Sequence, residues 1–261
     1  VVVNELQLFS KKYDIELLKF QNKKNLQGVV NLFFSTFNLL SVVKLIIKIL
    51  KFKPEIVYFH NLWFTASSIL LFIPKLFGIK TVIKLHNYRT TCLNDLHFRN
   101  GEVCNKCSGN SFKNAFIYNC YKNSKILTLF KYLHTKLIRK FINTSVDKIV
   151  LLTNFHKNLL LNEGFPKDKL LVISNYSKVK ISIQKQTHEN KEGFLFVGRL
   201  EDSKGIESLI EYWIKNENTR NKLLKIAGEG ALDYKMDVNK NNIKFLGQIN
   251  KEHLFSEIKK A

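Results

Sequence analysis

Two α/β domains, each built on a parallel sheet, are what this sequence predicts. Three observations carry the prediction. The chain has 261 residues, about two domains at ~150 residues each. Short apolar runs alternate with amphipathic stretches of helix length, the pattern of strands joined by crossover helices with both sheet faces covered. A polar stretch without periodicity, residues 177–192, separates two such series and reads as a linker.

Taken in order, the first domain (residues 1–176) opens with a short helix and a strand over Tyr13–Phe20. Val29 to Leu50 is a long apolar stretch interrupted by Asn31, Asn38, Lys44 and Lys48. A spanning helix needs ~20 predominantly apolar residues, so this one reads as a buried or amphipathic helix, with an interfacial or spanning segment as the alternative. Pro54 ends it. Glu55–His60 is a short buried strand, Trp63–Phe77 a helix stopped by Gly78, and Lys80–His86 a further strand. Residues 87–121 form a loop that holds every cysteine. A basic amphipathic helix over 122–143 follows, its Lys122, Lys125, Lys131, Lys136, Arg139 and Lys140 set beside an apolar series. The strand Asp147–Leu152, the helix Asn154–Asn162 and the strand Lys169–Ile173 complete the domain. In the second domain (residues 193–261) strands over Phe194–Val197, Leu223–Ala227 and Ile243–Leu246 alternate with helices over 205–215, 231–238 and 251–260.

Composition narrows the classes. With 45 % hydrophobic and 12 % aromatic residues, the chain has material for two cores, which excludes intrinsic disorder. Eleven Gly and three Pro exclude collagen-like and low-complexity classes, and four Cys in so long a chain exclude a small disulfide scaffold. The net charge of +21 is uneven: residues 1–175 hold 26 basic and 9 acidic side chains, residues 176–261 hold 16 and 12. Nucleic acid, an anionic membrane surface or an anionic substrate would each explain the excess, as would a solvated lysine-rich surface. No groove-reading or single-strand motif is present, and the aromatics sit in apolar runs, so nucleic acid is not expected as a partner. The chain begins Val1-Val2-Val3 without an initiator Met or a basic region before an apolar run, and ends inside a helical pattern. Both ends read as cut and no signal peptide is visible, which gives an expectation of a cytoplasmic location.

The strand end Phe194–Val197 runs into Gly198-Arg199-Leu200-Glu201-Asp202-Ser203-Lys204-Gly205 and a helix start. Ligands of such sheets sit beyond the carboxyl ends of the strands, and a helix N-terminus offers free N–H groups and partial positive charge to phosphate. Arg199 and Lys204 flank that point and suit a diphosphate, one as a bidentate fork and one as a point charge; two solvated basic residues on a loop are the plain alternative. Ile226-Ala227-Gly228-Glu229-Gly230 is a second strand end, where glycine permits close approach by a ligand or makes a tight turn.

These motifs together resemble glycosyltransferase family 4. Val197-Gly198-Arg199-Leu200 with Gly205, then Ile226-Ala227-Gly228-Glu229-Gly230, then Phe245-Leu246-Gly247 is similar to its donor domain. Pro54 to Asn61, Leu85-His86-Asn87-Tyr88-Arg89 and Asn4-Glu5 resemble segments of its first domain. The resemblance implies a GT-B fold: two Rossmann-like domains facing across a cleft, the second truncated here. It implies retaining transfer of a sugar, of the hexosyl kind, from a nucleotide-sugar donor to a glycan or lipid-linked acceptor, with no cofactor required. By position it makes His86 catalytic, assigns donor binding to Gly198, Arg199, Lys204, Gly228 and Glu229, and places His60, Asn61 and Arg89 on the acceptor side. The family's acidic pair would lie beyond Ala261 and its first Gly-rich loop before Val1.

Cys92, Cys104, Cys107 and Cys120 stand in a C-x11-C-x2-C-x12-C pattern. Four thiols in one loop with one C-x2-C fit a structural tetrahedral zinc site; free thiols or disulfides are the alternatives. The segment is similar to an insertion in some members of the same family. Function is therefore expected to be sugar transfer in surface polysaccharide synthesis, at the inner face of the membrane. The competing expectation is a nonenzymatic membrane- or nucleic-acid-binding protein with a zinc loop.

Overall fold

The computed structural model describes residues 2–20, 38–60, 62, 66–107, 109, 111–176, 193–232 and 242–261. The chain divides into two compact units, Val1–Val179 and Lys180–Ala261. The expected linker 177–192 and the expected helix at 231–238, apart from Ala231 and Leu232, lie outside the described residues, as does the 29–37 part of the apolar stretch.

The first unit carries a parallel sheet of four strands in the order β1 (Ile56–His60), β2 (Lys80–Lys84), β5 (Lys148–Leu151), β6 (Leu170–Val172). Each strand is a short run of β-branched and apolar residues, and Ile83, Ile149 and Leu151 are fully buried between covering layers. The helix Leu39–Phe52 buries Val42, Leu45 and Ile49 against this core. It starts at Leu39 because Asn38 caps it, its side-chain oxygen accepting from the Ser41 N–H, and it ends at Lys53 in left-handed conformation just before Pro54.

Two elements depart from expectation. Tyr13–Phe20 forms no regular element and enters no sheet among the described residues; Leu18 and Phe20 pack on the core without ladder bonds. The helix expected over Trp63–Phe77 is replaced, from Ser68 on, by a 3-10 turn Ser68–Leu71 and a short helix Ile73–Leu76. Pro74 explains the break, since it has no N–H and clashes with the preceding turn, so a helix restarts around it.

Within residues 87–121 lie a two-stranded antiparallel hairpin, β3 (Phe98–Arg99) with β4 (Glu102–Val103), and a short helix Lys113–Ile117. The long helix Lys125–Ser145, capped by Ser124, lies behind them. In its first half the buried face is polar: Thr128, Lys131, His134 and Thr135 point inward, while Ile126, Leu129 and Leu133 are exposed; further on, Arg139 is buried beside Ile138 and Ile142, which join the apolar core. The loop explains this inversion. An irregular segment leaves backbone groups that need partners when buried. Arg139 supplies one of them, donating to the carbonyl of Thr90 at 3.0 Å, and donates also to the carbonyl of Glu163, at the end of the helix Asn154–Asn162, at 2.9 Å. The six-residue basic series expected on this helix is thereby corrected: Lys131 and Arg139 are buried and paired with Asp95 and Glu163.

The second unit has a parallel sheet in the order β7 (Phe194–Val197), β8 (Leu224–Ala227), β9 (Ile243–Gly247), with a register shift between Ile226 and Ala227. The helix Ile206–Lys215 buries Ile206, Ile210 and Trp213 on it. The helix Lys251–Lys260 is pinned to the sheet by Lys225, whose Nζ lies 2.8 Å from Glu257.

Candidate functional site

Register places the first cluster. In the parallel pair β1–β2, His60 stands opposite Lys84 and Tyr58 opposite Val82. His86 lies two residues past Lys84, and the two-residue period of an extended chain returns it to the same side. The rings of His60 and His86 stack with centroids 5.4 Å apart, and Nδ1 of His60 is 3.1 Å from Nε2 of His86. Glu5, from the helix Val2–Phe9, reaches the same point. One of its oxygens accepts from the ammonium of Lys84, and the other lies 3.3 Å from Nε2 of His60.

A lysine inside a buried strand requires such a partner, because an unpaired buried charge is costly. Lys84 is 1 % exposed and Glu5 6 %. Burial lowers His60 to about 4; Glu5 opposes the shift, while His86 and Lys84 add to it. His86 is lowered chiefly by burial and then by Lys84. Both rings are therefore neutral at pH 7. Burial, and after it Glu5, pushes the Tyr58 phenol up. The other residues expected here divide. Arg89 lines a 20 Å³ cavity with His86 and Asn87, but its guanidinium is tied to Asp95 at 3.0 Å. Asn61 lies outside the described residues.

The second cluster sits at the carboxyl ends of β7, β8 and β9. Gly198, Arg199, Gly228, Glu229 and Gln248 line one pocket of 370 Å³. The strand ends are joined beyond the sheet: the N–H of Gly198 donates to Ala227, that of Gly228 to Gly247 and that of Leu200 to Glu229, at 3.0, 2.9 and 3.1 Å. Gly228 has φ +143°, and a Cβ there would lie 1.8 Å from the carbonyl oxygen of Gly198. Its glycine is demanded by the neighbouring backbone, so ligand approach is not needed to explain it. Arg199 is exposed and holds Glu201 at 2.8 Å. Lys204 is exposed and does not line the pocket. Gly205, left-handed at φ 70°, opens the helix Ile206–Lys215 with no side-chain cap, so the first N–H groups of that helix lack a side-chain acceptor.

The four cysteines are free and half-buried. Cys107 and Cys120 pack on a small core of Leu93, Phe112 and Ala115. Burial, and after it the charges of Cys92, Cys120 and Cys104, raises Cys107 to about 11. Among the described residues, no group of three or more His, Cys, Asp or Glu is placed to hold a metal ion.

The sequence reading missed Glu5, Lys84 and Gln248 as members of these clusters. A lysine in the run Val82-Ile83-Lys84-Leu85 was the available signal for the first two, since a buried strand cannot hold a lone ammonium.

No family model and no curated protein sequence matches the chain. Its structure does resemble solved ones. A glycosyltransferase from Rickettsia africae aligns over 98 % of this chain and 60 % of its own at 17 % identity, with a TM-score of 0.50. HepE of Anabaena in complex with UDP aligns over 83 % and 54 % at 14 % identity (TM-score 0.48). The lipopolysaccharide outer core galactosyltransferase WaaB, in its apo form, aligns over 83 % and 50 % at 14 % identity (TM-score 0.47). The chain thus spans about half the length of these structures. What the likeness shows is the fold, a mixed α/β architecture with parallel sheets of the Rossmann-like kind.

Proposed function

We propose that the protein is a nucleotide-sugar-dependent glycosyltransferase whose second unit binds the donor diphosphate and whose first unit receives the acceptor. The observation that carries this reading is the pocket at the ends of β7, β8 and β9, lined by Arg199 and by backbone at Gly198 and Gly228. Strand ends of a parallel sheet are where such folds bind ligands. The uncapped helix start at Gly205 adds N–H donors on the same unit. The Arg199–Glu201 pair is exposed and worth at most ~1 kcal/mol, so a diphosphate can replace Glu201 as the partner. Arg199 and Lys204 would then stabilise charge developing on the leaving nucleotide. The bond from the anomeric carbon to the diphosphate breaks, a bond to the acceptor hydroxyl forms, and the hydroxyl proton leaves with the diphosphate. Retention, hexosyl transfer and a role in surface polysaccharide synthesis belong to this proposal through the family resemblance.

His86 is the proposed catalytic group, neutral at pH 7, with His60 beside it on the acceptor side. A glycan or lipid-linked acceptor is consistent with the exposed face of the helix Lys125–Ser145. There Ile126, Leu129 and Leu133 lie among the exposed Lys122, Lys125, Lys136 and Lys140. That mixture suits the surface of an anionic membrane, which the protein would meet from the cytoplasmic side. Among the described residues, no helix is long and apolar enough to cross a membrane. Zinc on Cys92, Cys104, Cys107 and Cys120 remains a proposal supported by their spacing alone. The test of donor binding is a thermal-shift panel with UDP, GDP and ADP sugars. One nucleotide should raise the midpoint by mass action; no shift with any of them at millimolar concentration rejects the reading.

A further inference from the structure

Apart from the pocket at the ends of β7, β8 and β9, Glu5, Lys84, His60 and His86 form a cluster of ionisable groups in which Glu5 and Lys84 are buried. Its chemistry goes further than a pair of histidines at strand ends. One ring nitrogen of His60, Nδ1, is hydrogen-bonded to His86 at 3.1 Å, and the other, Nε2, lies 3.3 Å from the Glu5 carboxylate without a hydrogen bond. The carboxylate oxygen facing His60, Oε2, is buried and makes no hydrogen bond, so it acts on the Nε2 side of the ring through its charge across 3.3 Å. The remaining oxygen is taken by Lys84.

A neutral imidazole carries one N–H. Two arrangements of the His60–His86 bond are therefore open. In one, His60 keeps its proton on Nε2, on the side of the carboxylate charge, and its bare Nδ1 accepts from the Nε2–H of His86. In the other, His60 is protonated on Nδ1 and donates to His86. That second form sets the Nε2 lone pair of His60 against a carboxylate lone pair in a buried site, where repulsion is poorly screened. Glu5 thus selects the first form. The selection passes through His60: His86 must carry its proton on Nε2, and its Nδ1 is left bare.

We propose that Glu5 is a positioning residue that sets the tautomers of His60 and His86, so that His86 offers an Nδ1 lone pair to a donor such as a sugar hydroxyl and not an N–H to an anion. The sugar hydroxyl as donor rests on the function proposed above; the tautomer assignment does not. Lys84 holds the carboxylate in place by occupying its other oxygen. Tyr58, with its ring 4.6 Å from that of His60, closes the site along β1.

Side-chain nitrogen NMR of the ¹⁵N-labelled protein at neutral pH tests this, with the His60 and His86 signals assigned by single His→Asn variants. The expected result is Nε2–H on both rings, and a switch of both to Nδ1–H in Glu5→Gln. There the new amide keeps its carbonyl on Lys84 and turns an N–H toward His60. Should Glu5→Gln fail to fold, the wild-type tautomers decide alone, since Nε2–H on both rings is what the buried carboxylate requires. An Nδ1–H tautomer on His86 in the wild type, or unchanged tautomers in the variant, overturns the proposal. The readout is independent of nucleotide: a tautomer switch without any UDP binding would keep this inference and reject the donor site, and the reverse pattern would do the opposite.

Discussion

Replacing Gly228 with Ala tests how the candidate donor pocket is built. The new Cβ would meet the Gly198 carbonyl oxygen at 1.8 Å and its carbon at 2.9 Å. Both are backbone atoms, so no flexible side chain can yield. The residue also sits at φ +143°, a conformation that disfavours a side chain. Overpacking costs ~1–3 kcal/mol and backbone strain a further ~1–3 kcal/mol. Relief would come from parting β7 from β8, at the loss of the Gly198 to Ala227 and Leu200 to Glu229 hydrogen bonds, each worth ~1 kcal/mol. The expected destabilisation is therefore about 3–5 kcal/mol. Gly205 supplies the control, for it is also left-handed at φ +70° but has nothing within 4 Å of the point where a Cβ would stand. Gly205→Ala should cost only ~1–2 kcal/mol. Urea unfolding of the two variants, followed by the fluorescence of Trp213 on the same unit, measures the difference. Equal costs, or a Gly228→Ala variant within ~1 kcal/mol of wild type, would refute the close approach of the strand ends.

Three further outcomes are expected. Burial lowers His60 and His156 from 6.5 to about 4 and His134 to about 3; because the unfolded chain binds these protons first, stability is full above about pH 6.5 and falls as pH drops toward 4. For His156, 4 % exposed, the loss approaches ~3 kcal/mol, so native circular dichroism persisting at pH 3 would contradict the burial of these rings. Elemental analysis of protein purified without chelator should find one zinc per chain if the cysteine loop is a metal site; less than about a tenth of an equivalent with four titratable thiols would remove that proposal. Flotation with acidic and neutral vesicles should show binding to the acidic ones alone, lost in Leu129→Glu/Leu133→Glu, and equal partitioning to both would reject the lysine-rimmed face as a lipid surface.

The strands were readable because parallel strands are short, near-continuous apolar runs, as Lys148–Leu151 shows; Ile56–His60, read as buried, stands at the end of the sheet order and buries Phe59 alone. Tyr13–Phe20 shows where that signal fails: an alternating segment can pack two side chains on a core without pairing its backbone. Over Lys125–Ser145 the spacing showed an apolar series beside a basic one without showing which residues go inward: Ile126, Leu129 and Leu133 are exposed, while Ile138 and Ile142 are buried. Which face goes inward was decided by the loop of residues 87–121 and its need for Lys131 and Arg139, a tertiary demand that local pattern does not carry. The motifs named His60 and His86 separately, and register is what brings the two rings together. The Glu5–Lys84 pair joins residues 79 positions apart, and no local spacing brings such residues together. Gly228 was noticed for its motif, while its physical reason, the Gly198 carbonyl, became visible only with the strands in place.

The central claim is that the pocket around Gly198 and Arg199 holds a nucleoside diphosphate. Calorimetric titration of the protein and of Arg199→Ala with UDP tests it most directly. On this account Arg199 would make a charge-assisted contact of ~1.5–3 kcal/mol, so the variant should bind about 10- to 150-fold more weakly. Equal affinity in the two proteins would mean that the phosphates are held elsewhere, and would contradict the donor site proposed at the ends of β7, β8 and β9.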